Sequence, residues 1–158
     1  MDLTPYQDPQ TIQKALACRR VAVVGMSSNE LRASHYVGFY LARHGYEVIP
    51  VNPRETEILG RTCYPSLTAI PEPVDVVDVF RDPVAVPEIA REAVAIGASF
   101  LWLQFGVISH DGIAIARAGG LEVIADKCMK IEHARYRGRM HWLGFNRGTL
   151  SARRDPTV

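Results

Sequence analysis

Five short apolar runs, separated by helix-like or turn-rich chain, constrain this fold more than any other feature. They are "RVAVVG" (20–25), "YEVIPV" (46–51), "VDVVDVF" (74–80), "SFLWLQF" (99–105) and "LEVIAD" (121–126). The first is Val-rich and apolar on both faces, as a central parallel strand must be. Ahead of it, "DPQTIQKALA" reads as a helix with Asp8 as N-cap and Pro9 at the first helical position. Ser34 is the expected cap of "HYVGFYLARH", where Val37, Tyr40, Leu41 and His44 share one face and Gly45 stops the helix. Asp82 and Pro83 open "VAVPEIAREAVAIG", and Ser109 or Asp111 starts "GIAIARA", which Gly119-Gly120 ends. Residues 52–73 are rich in turn formers and hold at most a short helix after Ser66.

Strands alternating with helices specify an α/β domain: one five-stranded parallel sheet with helices on both faces. Right-handed crossovers make 3-2-1-4-5, the Rossmann-like order, the expected arrangement of the strands. At 158 residues, 47% hydrophobic and 22% charged, the chain is the size of one domain with a real core. Its apolar runs fall far short of the roughly 20 residues of a membrane span. Three widely spaced cysteines do not read as a disulfide framework, and "MDLTPYQDPQ" does not read as a secretory signal, so a cytoplasmic protein is expected. Charge is uneven: residues 1–126 hold 10 Lys+Arg against 15 Asp+Glu, and residues 127–158 hold 8 against 2. The expected division is a ligand-binding domain over 1–134 and a basic tail over 135–158. A basic tail can mark a nucleic-acid partner, but this one lacks a recognised nucleic-acid motif, so a solvated tail or a contact with the acidic body of a second copy or a protein partner is expected ahead of it.

In a doubly wound sheet, ligands bind beyond the carboxyl ends of the strands. The first such end is "GMSSNELRAS". Gly25 permits the tight turn of a dinucleotide fingerprint, but G-x-G-x-x-G would place glycines where Ser27 and Glu30 stand. Ser27 and Ser28 offer donors, Arg32 lies in the loop, and the next helix begins near Ser34 with its positive dipole end. This is an anion site wider than a dinucleotide turn; a serine-rich loop without a ligand is the competing account.

After the second strand, an NAD site carries an acid that bonds the ribose 2′-hydroxyl. Here Asn52, Pro53 and Arg54 stand instead. An arginine attracts a ribose phosphate that a carboxylate would repel. Pro53 adds a flat apolar surface for an adenine edge. NADP or coenzyme A is therefore implied, against the alternative of an ordinary surface arginine. The third strand ends in Phe80 and Arg81, a ring and a guanidinium suited to adenine and phosphate. The fourth ends at Gln104, and the fifth leads to Cys128 between Lys127 and Lys130, whose charges would favour the thiolate, with an inert, buried cysteine as the equal alternative. There is no Tyr-x-x-x-Lys dyad, no zinc-like spacing and no triad around the five histidines, so no catalytic or metal-ligating residue is assigned.

Taken together, "VAVVGMSS", "RAS", "GYEVIPVNPR", "ILGRTCYPSL", "PVDVVDVFR", "PEIAREAVAIGA", "LWLQFGV" and "DKCMKIEH" resemble the stand-alone coenzyme A-binding proteins. These are Rossmann-like domains related to the N-terminal domain of the succinyl-CoA synthetase alpha subunit. The resemblance implies coenzyme A or an acyl-CoA across the strand ends, with no catalysis by the fold itself. It assigns Gly25, Ser27 and Ser28 to the phosphate loop, and Met26, Arg32 and Ser34 of the same stretch are candidate cofactor-binding residues beside them. Val51, Asn52, Pro53 and Arg54 fall to the adenosine side, Phe80, Arg81 and Gln104 to the next two turns. Cys128 falls near a cysteine that some synthetases carry close to the coenzyme thiol. The alternative from the enzyme class is an NADP-dependent oxidoreductase with its substrate pocket at an oligomer interface.

Overall fold

The computed structural model describes residues 1–138, so most of the expected basic tail, 139–158, lies outside the described residues. The five anticipated strands are β1 (Arg20–Val24), β2 (Glu47–Val51), β5 (Val76–Val79), β6 (Phe100–Leu103) and β7 (Glu122–Ala125), all parallel. A small antiparallel hairpin of β3 (Glu57–Ile58) and β4 (Arg61–Thr62) occupies the turn-rich stretch after β2. Five α-helices are found among the described residues: α1 (Pro9–Leu16), α2 (Ala33–Arg43), α3 (Val86–Ala95), α4 (His110–Ala118) and α5 (Met129–Tyr136). The α5 helix runs through residue 134, so Arg135 and Tyr136 belong to the packed body.

The sheet has the order β2-β1-β5-β6-β7. Counting only its own strands this is 2-1-3-4-5, which corrects the expected 3-2-1-4-5 while keeping the doubly wound class. Pro50 supplies the physical reason. It pairs with Val23 in register, and its carbonyl faces the outer edge, where it accepts from the Tyr64 N–H at 3.0 Å. In a strand the nitrogen of the same residue faces that edge too, and proline has no N–H to give a further strand. The second strand is therefore an edge, and the third must cross back to the far side of β1.

Both sheet faces are covered. On one, Val24, Val77, Leu101 and Val123 pack against Val86, Ile89 and Ala93 of α3 and Ile113 and Ala116 of α4. On the other, Val23, Val76, Trp102 and Ile124 meet Ile12 and Leu16 of α1, Val37 and Leu41 of α2, and Met129 of α5. The central strands are buried throughout, as their unbroken apolar sequence requires. Local signals act where expected: Asp8 accepts from the Thr11 N–H at 3.0 Å, and Ser109 accepts from the Gly112 N–H at 3.1 Å. Asp82 caps a 3-10 turn, Pro83–Ala85, that leads into α3. Ser34 does not cap α2: Arg32 holds that position, and Ser34 turns its hydroxyl back to the phosphate loop.

Candidate ligand-binding site

The strand order fixes where a cleft can open. Chain connections leave β1 and β5 in opposite directions, so the crevice at their carboxyl ends is the switch point. Gly25 follows β1 with φ +83°, a conformation open to glycine, and Phe80 follows β5. The two ends are tied: the Phe80 N–H donates to the Val24 carbonyl at 2.8 Å, and the Gly25 N–H donates to the Val51 carbonyl at 2.8 Å.

Two adjoining concavities meet at Gly25. One, of about 330 Å³, is lined by Gly25, Ser27, Arg32, Ala33, Ser34 and Phe80. The other, of about 370 Å³, is lined by Gly25, Asn52, Pro53, Arg54 and Arg81. Residues from three strand ends and the head of α2, up to 56 positions apart in sequence, thus share one cleft. Arg32, Arg54 and Arg81 are exposed at its rim, and none is ion-paired within the described residues. A larger hollow of about 620 Å³ lies at the opposite end of the sheet, lined by Arg19, His44, Tyr46, His133 and Arg137 among others.

The loop after β1 is built largely by side chains. The Ser27 N–H donates to Ser34 Oγ at 3.0 Å, and Ser27 Oγ accepts from the Asn29 N–H at 3.0 Å. His35 Nδ1 lies 2.9 Å from the Ser27 carbonyl. Ser28 Oγ donates to Glu55 Oε1 at 2.7 Å, so its hydroxyl is engaged rather than offered to the cleft. Asn52 braces two strand ends at once: its Nδ2 donates to the Met26 carbonyl at 2.9 Å, and its Oδ1 accepts from the Arg54 N–H at 2.9 Å. Met26 itself is buried in the core, as is Val51, so both support the cleft from beneath.

Gln104 and Cys128 line neither concavity, but Gln104 follows β6 beside the strand end that carries Phe80, its N–H donating to the Val79 carbonyl at 3.4 Å. Both are buried, and Cys128 stands at the N-cap position of α5 without a side-chain capping bond. Burial raises the Cys128 thiol above its ordinary range; the N–H groups of Ile131 and Lys130 oppose this, and the Lys130 charge is the weakest influence. The expected thiolate is thereby corrected: desolvation outweighs the lysine. Gln104 Nε2 donates to Asp78 Oδ1 at 2.5 Å. Asp78 is sealed in the sheet, and burial pushes its carboxyl up to about 7, against the hydrogen bond from Gln104. Sequence reading missed Asp78 and Glu55. Asp78 left a signal, an acid interrupting the apolar run "VDVVDVF"; Glu55 left none in a loop of turn formers.

These features define a doubly wound α/β domain with an arginine-rimmed cleft at its switch point, where this class holds nucleotides. A family model for the CoA binding domain matches residues 19–134. The chain belongs to that family. It is 39% identical over 116 residues to the uncharacterised protein YneT of Bacillus subtilis (strain 168), covering 73% of this chain and 86% of that one. It is 33% identical over 119 residues to an ADP-forming acetate–CoA ligase of Archaeoglobus fulgidus, covering 69% of this chain but 17% of the ligase. A hypothetical protein from Pyrococcus horikoshii OT3 superposes with a TM-score of 0.81 at 35% identity, covering 85% of this chain and 96% of that one. A Thermus thermophilus protein superposes at 0.77 and 36%, covering 82% and 98%. No helix among the described residues is long and apolar enough to cross a membrane.

Proposed function

We propose that this protein binds coenzyme A or an acyl-CoA in the switch-point cleft and acts as a non-catalytic carrier, sensor or regulatory module. The observation that carries this reading is the trio Arg32, Arg54 and Arg81 around Gly25, with Arg54 where an NAD site would carry an acid. The adenosine 3′-phosphate pairs with Arg54, Pro53 supports the adenine, and the pyrophosphate lies over Gly25 between Arg32 and Arg81. The pantetheine arm runs on toward Gln104 and Cys128. Family membership supports the coenzyme, and the ligase relative acts on a CoA substrate by its name.

Titration calorimetry with coenzyme A, dephospho-coenzyme A and NADPH tests this. Coenzyme A is expected to bind, and dephospho-coenzyme A about tenfold or more weaker, since a charged phosphate–guanidinium hydrogen bond contributes about 1.5–3 kcal/mol. Binding of NADPH in the absence of coenzyme A binding overturns the reading in favour of an NADP enzyme.

A further inference from the structure

Asp78 lies on β5 between Val23 of β1 and Trp102 of β6, on the face covered by α1, α2 and α5. Its Oδ1 accepts from Gln104 Nε2, while its Oδ2 is buried with no hydrogen-bond partner. Gln104 Oε1 has no partner among the described residues either, in a residue that is 4% exposed. The carboxamide therefore has one end held by a buried acid and the other without a partner among the described residues.

A carboxylate only accepts hydrogen bonds. While charged, Asp78 holds the NH₂ end of Gln104 inward and turns Oε1 outward as an acceptor. A protonated Asp78 donates to Oε1 instead, and rotation of the amide turns its NH₂ outward as a donor. We propose that Asp78 is a positioning residue that, through Gln104, sets whether the inner end of the cleft accepts or donates a hydrogen bond, and that its charged form selects free coenzyme A over acyl thioesters. This rests on the coenzyme A reading, with the thiol end of the ligand at Gln104. A free thiol brings an S–H donor to the outward oxygen. A thioester has no such proton and presents a carbonyl, which requires the outward NH₂.

The surroundings leave Asp78 to titrate by itself. Burial dominates its raised pKa, Gln104 opposes it, and no charged side chain contributes. On this face β1 and β6 present Val23 and Trp102, α1 presents Ile12 and Leu16, and α2 presents Val37 and Leu41. The titratable neighbour is Cys128 at the head of α5, raised further by the Asp78 charge and lowered slightly by Lys130, while Glu132 and His133, also buried on α5, are not among the influences on Asp78. That thiol is raised above its ordinary range, so it remains uncharged across the working window.

The test is calorimetric binding of coenzyme A and of acetyl-coenzyme A to the full chain from pH 5.5 to 8.5. Ionisation of the ligand phosphates is common to both and cancels in the affinity ratio. Preference for the free thiol is expected to rise about fivefold or more as pH passes 7, the worth of one neutral hydrogen bond. In Asp78→Asn, and in Gln104→Leu, the ratio is expected to be flat. A flat ratio in the wild type, or a persisting pH dependence in Asp78→Asn, overturns the proposal. The wild-type profile decides even where a variant fails to fold. If neither ligand binds at any pH, the coenzyme A reading itself fails; if coenzyme A binds with a flat ratio, only the role of Asp78 does.

Discussion

Gly25→Ala and Gly45→Ala make the same chemical change in the same backbone region, with φ of +83° and +92°, in different surroundings. A left-handed conformation costs an L-residue about 1–2 kcal/mol, and that part is common to both. A Cβ on Gly45 meets no atom within 4 Å. On Gly25 it would collide with the Phe80 carbonyl oxygen, lie 3.1 Å from the carbonyl carbon, and lie 2.9 Å from Arg81 Cδ. The arginine can swing away. The carbonyl cannot, because the Phe80 N–H is bonded to Val24 and fixes the two strand ends together. Relief requires β1 and β5 to part by about an ångström, set by the Phe80 carbonyl oxygen, given an ordinary contact of about 3.5 Å. Overpacking of this kind costs about 1–3 kcal/mol. Gly25→Ala should therefore lose about 3 kcal/mol and Gly45→Ala about 1–2. Urea denaturation followed by far-ultraviolet dichroism, at constant m-value, measures both. Equal losses would refute the argument, since the Phe80 carbonyl would then not be what reserves position 25 for glycine.

Three further outcomes follow from the same geometry. Burial raises Asp78 to a pKa of about 7 in the folded protein against 3.8 for an exposed aspartate, so between these values the folded state binds the extra proton and stability falls as pH rises. The loss is on the order of 4 kcal/mol once pH exceeds 7, whereas thermal melts of Asp78→Asn at pH 5 and pH 8 should differ much less than those of the wild type. Wild-type melts independent of pH over this range would contradict the burial argument. Arg54→Ala should weaken coenzyme A about tenfold and leave dephospho-coenzyme A nearly unchanged, as calorimetry can show; equal weakening of both would move the 3′-phosphate elsewhere. Asn52→Ala removes the brace to the Met26 carbonyl and the local turn bond from the Arg54 N–H, and should lower stability by about 1–2 kcal/mol in urea, with an unshifted midpoint arguing against any bracing role.

The alternation of strands and helices was legible because each apolar run and each cap is a local property of the chain. Strand order was less so, because it depends on which edges remain available. The deciding residue, Pro50, was nonetheless in plain view inside the second strand. Nine of the residues assigned to the site line the two concavities, since residues at successive strand ends must converge once the sheet is parallel. The partners Ser28–Glu55 and Gln104–Asp78 were not legible, because each joins residues 26 or more positions apart through side-chain geometry alone.

The departure from the dinucleotide fingerprint now has a structural account. That fingerprint uses three glycines: one for the turn, one for close approach of backbone to pyrophosphate, and one for helix–strand packing. Here Gly25 retains the first role. The side chain at position 27 is needed rather than excluded, because Ser27 holds Asn29 and its N–H is held by Ser34. No residue from Met26 to Ala33 has positive φ, so this longer loop is shaped by hydroxyl and amide groups instead of by glycine conformations. The packing role moves into α2 itself. A Cβ on Gly38 would collide with the Met26 side chain, with Sδ only 2.9 Å away, so the bare face of the helix seats the side chain of the residue that follows Gly25. Glu30 can therefore stand where the fingerprint places its last glycine, since close contact with the helix is made eight residues later.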